Sequence, residues 1–137
     1  MNTKIKLLVL LLGLASGLSI NNFNNTEHNR KGMIKMAIYY PSGEGNTFDM
    51  EYYSTKHMPM AADLFGASLK AMEIDKGLTG ATPELPAPYM AIGYFYFENL
   101  ETFQKALGAH SATLRADVPN YTNVKPEIQI SEVQMAK

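Results

Sequence analysis

A histidine and a tyrosine one helical turn apart are the residues best suited to chemistry. His57 has an ordinary pKa of about 6.5, so its imidazole can take up and release protons near neutral pH. Tyr53 lies one turn earlier and can hydrogen-bond the imidazole or a bound molecule. Asp49, one turn earlier again, can orient the two side chains. The spacing makes His57 a candidate general acid or base, with Tyr53 as its candidate partner.

The two histidines of the apolar region also have a structural interpretation. His57 can fix its helix to a neighbouring loop without touching a ligand. His110 lies on an apolar helical stripe, where a histidine is more often a satisfied core residue, although histidines from two helices can also face one pocket. The chain has no cysteine, and no further ligand follows at metal-binding spacing, so the sequence predicts no metal site.

The residues around His57 are typical of a turn followed by a helix. Residues 41–46 carry the Pro and Gly of a loop, and Thr47 or Asp49 can cap the helix after it. Pro59 lacks the amide proton of a helix ladder and predicts a kink, and Gly66 ends the helix. Helical spacing predicts a buried face with His57 on the stripe beside it. That face contains Phe48, Tyr52, Thr55, Pro59 and Ala62.

Four apolar segments alternate with the two helices. The predicted strands are residues 33–40, 68–78, 89–97 and 126–133. Asn99 can cap a second helix, which Pro119 ends. The resulting order, βαββαβ, predicts an α+β domain of ferredoxin-like layout.

The third strand predicts an association between two copies of the chain. Residues 89–97 are apolar or aromatic at every position, which is typical of a strand covered on both faces. Helices cover only one face of a ferredoxin-like sheet, so a second copy of the sheet is the simplest cover for the other. Gly93 is the predicted outward position, with Ile92 as the alternative if the alternation is shifted by one residue.

The first 32 residues differ in character from the rest. Residues 1–20 combine two lysines, an apolar run and small residues, which predicts a secretory signal peptide and a periplasmic or secreted protein. An uncleaved anchor or a buried helix are the alternatives, as is a cytoplasmic protein if translation starts at Met33. Residues 21–32 form a polar linker, and residues 33–137 form the domain.

The charge of the chain argues against a nucleic-acid partner. The formal net charge is -1, whereas phosphate binding needs clustered Lys and Arg. RNA-recognition motifs share this strand order and carry aromatic residues on a strand, as the run GYFYF does here. No basic residues surround that strand, however.

The helix carries the pattern F-D-x-x-Y-Y-x-x-x-H-x-P over residues 48–59, which resembles the signature helix of the EthD family. Residues 40–45, 86–93 and 117–126 extend the resemblance over almost all of the domain. The resemblance implies a dimeric α+β barrel, formed by two sheets packing face to face. It also implies a pocket between sheet and helices, lined by Phe65, His110 and Tyr121 if the second helix and its exit loop pack as in the family.

EthD-like proteins are often described as reductases or oxidoreductases. The resemblance therefore implies an oxidoreductase, or a related cofactor-independent enzyme, that acts on a small hydrophobic compound with His57 as general acid or base. The alternative is a non-catalytic binding module for a small hydrophobic ligand, or for haem held by a histidine. The sequence names no cofactor, and after signal cleavage no stable membrane insertion is expected.

Overall fold

The computed structural model describes residues 30–136, which form one antiparallel sheet with helices on one face. The strands are β1 (Ile34–Pro41), β2 (Leu69–Lys76), β3 (Tyr89–Phe97) and β4 (Glu127–Glu132). Their order across the sheet is β2-β3-β1-β4, with β1 and β3 in the centre. The predicted ferredoxin-like α+β fold is therefore confirmed. The predicted signal peptide, residues 1–20, and the linker up to residue 29 lie outside the described residues.

The register of β1 and β3 identifies the face of the sheet that carries the core. Ile38 lies opposite Gly93, and Tyr40 lies opposite Ala91. Because residues opposite each other in an antiparallel pair point to the same face, Gly93 belongs to the buried face with Ile38. The prediction that Gly93 points outward is wrong by one residue, and Ile92 is the outward residue.

The helices begin at the predicted caps. α1 (Met50–Tyr52) follows Asp49, whose carboxylate accepts a hydrogen bond from the Tyr52 amide at 2.9 Å. α3 (Leu100–Asp117) follows Asn99, whose side chain accepts from the Thr102 amide, also at 2.9 Å. A short polar side chain at this position satisfies an amide that the first helical turn leaves free.

A π-helical turn, Tyr53–His57, separates α1 from α2 (Met58–Phe65). The Met58 amide donates to the Tyr53 carbonyl five residues back, and two residues favour this widening. Pro59 has no amide proton for the ladder, and the Thr55 hydroxyl donates to the Glu51 carbonyl at 2.7 Å, in competition with a backbone amide. Gly66 then ends α2 with a φ of 52°, which suits glycine.

The residues of this helix that are buried differ from the predicted face. The predicted face included Thr55 and Pro59, but both are exposed. Tyr53 and His57 are buried instead, so the stripe beside the predicted face is the one that packs into the core. The residues that face the sheet are Tyr53, His57, Met58, Ala61 and Phe65.

The opposite face of the sheet has no helix over it in the described part of the chain. Arg30 lies over the Tyr96 ring, with 4.5 Å between the guanidinium carbon and the ring centroid, and also pairs with Glu73. The Tyr96 hydroxyl donates to Glu73 at 2.9 Å. The end of the predicted linker thus lies against this face, and the two-sheet barrel remains a prediction. Across residues 30–136, no helix combines the length and hydropathy that crossing a membrane requires.

Candidate functional site

A histidine and a carboxylate from different elements meet at the end of α3. His57 Nδ1 lies 2.8 Å from Asp117 Oδ2, and the imidazole is 5% exposed. The other carboxylate oxygen, Oδ1, accepts from the Tyr52 hydroxyl at 2.9 Å and from the Asn120 amide at 2.8 Å. Three donors therefore hold the Asp117 carboxylate in place, and the carboxylate in turn fixes the ring of His57.

The second nitrogen of His57 faces a pair of buried tyrosine hydroxyls. Nε2 lies 3.4 Å from the Tyr121 hydroxyl, which is longer than a normal hydrogen bond. The Tyr121 hydroxyl is 2.9 Å from that of Tyr40, and either can donate. Burial raises the pKa of Tyr121 and of Tyr40 well above the usual range. Both hydroxyls thus stay protonated, and Nε2 has capacity to accept a proton from a ligand.

The surroundings of His57 keep its imidazole neutral. Burial lowers the pKa of His57, and the hydrogen bond and charge of Asp117 only partly oppose this. Burial alone would raise the pKa of Asp117, but hydrogen bonds from His57, Asn120 and Tyr52 outweigh it and hold that pKa below its ordinary value. The ionised carboxylate binds a proton on Nδ1, so the free lone pair lies on Nε2.

These shifts give the fold a defined dependence on pH. The pKa of His57 is lower in the folded chain than the value of about 6.5 expected in the unfolded chain. As the pH falls below that value, the unfolded chain takes up a proton that folded His57 resists. The contribution of neutral His57 to stability is therefore complete above that pH and is lost during acidification.

Tyr53 supports the imidazole by stacking and does not hydrogen-bond it, contrary to the predicted partnership. The two rings are 5.4 Å apart at 15°. The Tyr53 side chain is 0% exposed, and its hydroxyl has no hydrogen-bond partner among the described residues. That hydroxyl lies against Gly93, where a Cβ atom would come within 2.0 Å of it. The absence of a side chain at Gly93 is what admits the tyrosine.

A cavity of about 150 Å³ lies between the sheet and α3, beside His57. Its base contains the buried His57, Tyr40 and Tyr121. Further residues of β1, β3, β4 and α3, and of the connection from α3 to β4, form its apolar wall and its mouth. These are Met36, Ile38, Phe95, Leu107, Ser111, Leu114, Arg115, Val118, Pro126 and Ile128.

Two of the predicted ligand-binding residues lie elsewhere. Phe65 contacts Phe95 and Phe97 in the core, with ring centroids 5.4 and 5.3 Å apart. The ring centroids of His110 and Phe65 are 6.3 Å apart, and both residues border a separate depression along the first half of α3. Of the predicted lining residues, only Tyr121 reaches the cavity of His57, because α3 turns His110 to a different side.

Asp117 and Tyr40 are site residues that the sequence did not single out. The spacing pointed to Asp49 as the orienting group, but Asp49 is instead the cap of α1. The separation of 60 residues between His57 and Asp117 gives no local spacing signal. Residues 30–136 contain no group of three His, Cys, Asp or Glu side chains suited to a metal ion.

Replacing Asp117 with asparagine should lower the pKa of His57 further. The substitution removes the charge that raises this pKa, and an asparagine amide can donate to Nδ1 and favour the tautomer protonated on Nε2. Histidine side-chain NMR reports both effects, and the chain has only three histidines to assign. Asp49→Asn is the control, since asparagine caps a helix as well as aspartate does. An unchanged His57 titration in Asp117→Asn would contradict this assignment.

Comparison with known families gives one consistent result. The sequence model of the EthD domain matches residues 43–125, a range that includes His57, Asp117 and Tyr121. The fold is similar to the crystal structure of an EthD-like protein from Ralstonia eutropha JMP134. That alignment has 37% identity and a TM-score of 0.70, and covers 74% of this chain and 92% of the other.

A more distant structure supports the fold alone. An ethyl tert-butyl ether D (EthD) family protein from Bacillus halodurans C-125 aligns with 18% identity and a TM-score of 0.57. The alignment covers 73% of this chain and 97% of that protein. No curated protein matches the sequence significantly.

Proposed function

Because this chain belongs to the EthD family, we propose that it is an enzyme acting on a small, largely apolar organic molecule. The molecule binds in the cavity between the sheet and α3, and His57 exchanges a proton with it. The proposal rests on the environment of the His57 imidazole. Nδ1 is anchored to Asp117 at 2.8 Å, while Nε2 has only a long contact and borders an apolar cavity.

The geometry favours His57 as a base and Tyr121 as a donor. A neutral imidazole accepts a proton through Nε2, and the Asp117 carboxylate stabilises the imidazolium that results. The Tyr121 hydroxyl can donate to an oxygen of the ligand that gains negative charge when the proton leaves. Apolar walls exclude water and strengthen both interactions.

This proton transfer is the part of an oxidoreductase or isomerase reaction that the chain can supply. In an isomerase, His57 returns the proton to a different atom of the same molecule. In an oxidoreductase, the deprotonated ligand passes electrons to an external acceptor such as dioxygen, and His57 retains the proton until solvent removes it. Oxygen consumption during turnover distinguishes the second reaction from the first.

The size of the cavity bears on the alternative of a haem-binding module. A cavity of about 150 Å³ has the size that accepts a benzene-like ring. A haem macrocycle is far larger, so the described cavity does not fit it. A non-catalytic module for a one-ring ligand would use the same cavity, and turnover separates it from an enzyme.

Solvent exchange of a carbon-bound proton is the direct test of the proposed step. One-ring ketones and hydroxylated aromatic compounds are incubated with the protein in D₂O and followed by NMR. We expect enzyme-dependent deuterium incorporation in at least one compound that binds, and loss of that incorporation in His57→Gln. Binding of several compounds without exchange or oxygen uptake would favour the binding module.

We further propose that the helix-free face of the sheet binds a second copy of the chain. This face carries aromatic and apolar side chains in its centre, where Tyr94 lies opposite Ala37 and Ile92 lies opposite Tyr39. A monomer would leave Ile92 and Tyr94 partly exposed. A second sheet packed against them would bury both, which is the expected arrangement of a dimeric α+β barrel.

Ile92→Asp should convert the dimer into a monomer or an aggregate. An aspartate there would carry an unpaired charge into the interface at high desolvation cost. Analytical ultracentrifugation measures the change, with Leu78→Asp as a control because Leu78 is 82% exposed in the loop after β2. A wild-type protein that sediments as a monomer, or an Ile92→Asp protein that stays dimeric, would contradict the proposed interface.

A further inference from the structure

We propose that the ligand of this cavity is a small organic anion whose carboxylate binds Arg115 at the mouth. This inference rests on the proposed function, because it assigns a chemical class to the ligand of the same cavity.

The polar groups of the cavity lie at its two ends. At the base, His57, Tyr40 and Tyr121 are 5%, 1% and 3% exposed. At the mouth, Arg115 is exposed and Ser111 is half-buried. Ser111 and Arg115 are one turn apart on α3, so they lie on the same side of the helix. The wall between base and mouth is apolar.

Among the described residues that line the cavity, Arg115 alone carries a permanent charge. The nearest carboxylate along the helix, Asp117, is already bonded to His57, Tyr52 and Asn120. None of the ion pairs formed within residues 30–136 includes Arg115. An unpaired guanidinium beside an apolar wall is suited to a carboxylate, which it binds through two parallel hydrogen bonds. The Ser111 hydroxyl can donate to the same group.

The intervening space limits the body of the ligand. About 150 Å³ accommodates one six-membered ring and not a fused ring system. A hydroxyl or carbonyl at the inner end would meet His57 and Tyr121. The geometry therefore favours a one-ring carboxylic acid with an oxygen substituent opposite the carboxylate.

A pair of matched probes tests this preference. 4-Hydroxybenzoate carries both end groups, and 4-hydroxybenzamide has the same shape without the charge. Dissociation constants of both are measured by calorimetry with the full chain at neutral pH. We expect the acid to bind about tenfold more tightly than the amide, as a charge-assisted hydrogen bond in a partly exposed site provides. The difference should decrease with added salt.

Substitutions on α3 test which residue causes the preference for the acid over the amide. Arg115→Gln should remove the difference between the probes and leave amide binding unchanged, while Arg115→Lys should retain part of it. Lys105→Gln removes the same charge from an exposed position of the same helix and should have no effect. Equal binding of acid and amide by the wild-type protein would overturn the anion preference and leave the cavity proposal standing. If neither probe binds, the cavity proposal fails and the anion preference fails with it.

Discussion

His57→Gln should abolish proton exchange and leave a folded protein. We expect the exchange rate to fall by at least about 100-fold, the lower end of what a general base contributes. A glutamine amide can still donate to the Asp117 carboxylate, which keeps the anchoring contact of Nδ1, but it cannot take up a proton near neutral pH. The rate by NMR and the melting temperature by calorimetry are measured on the same preparation.

Two further variants make this result specific. His110→Gln alters a histidine outside the cavity and should keep full activity. His57→Ala should be inactive and also less stable, because it leaves a void beneath Tyr53 and removes a donor from Asp117. His57 is only 5% exposed, so it packs as a core residue and its truncation is costly. A folded His57→Gln protein with wild-type exchange would rule out the catalytic role.

Gly93→Ala should destabilise the domain, by about 1–3 kcal/mol as overpacked cores generally show. A Cβ atom at this position would lie 2.0 Å from the Tyr53 hydroxyl oxygen. Tyr53 cannot move aside easily, because it is fully buried between Tyr40, Phe48, His57 and Tyr121. Urea denaturation measures the loss as a shift of the midpoint.

Tyr53→Phe should rescue Gly93→Ala. Removing the hydroxyl leaves the ring carbon at 3.2 Å as the nearest contact of the new Cβ, which a small shift can accommodate. On its own, Tyr53→Phe should be neutral or stabilising, since the hydroxyl is buried without a partner among the described residues. Gly108→Ala is the control, because nothing lies within 4 Å of a Cβ at that helical position. If Gly93→Ala lowered the stability equally in the wild-type and the Tyr53→Phe proteins, the close contact would be contradicted.

Local signals predicted most of the fold. The caps Asp49 and Asn99 act on neighbouring amides, and the continuous apolar run of β3 matches its observed bounds, Tyr89–Phe97. Each of these features depends on residues close together in the chain. The βαββαβ order then determined the ferredoxin-like topology.

The site was harder to predict from the sequence, because its contacts join distant segments. His57 could be identified by its chemistry, but Asp117 became its partner only through the docking of α3. The predicted buried face of the first helix was wrong, because helical spacing alone did not choose between that face and the stripe beside it that holds His57. Gly93 showed the same limit, because alternation alone gives two possible faces and only the register against β1 selects one.

The π turn also has a consequence for how relatives should be compared. A wide turn is one residue longer than the α-helical turn it replaces, so Tyr53–His57 is equivalent to an inserted residue. A homologue with a gap of one residue in this segment would have a regular helix there. The residues on both sides of the turn would keep their faces, because the widened turn itself absorbs the extra residue. A one-residue gap inside this segment is therefore the expected difference between relatives with and without the wide turn, and it does not by itself separate the histidine from the aspartate at the end of α3.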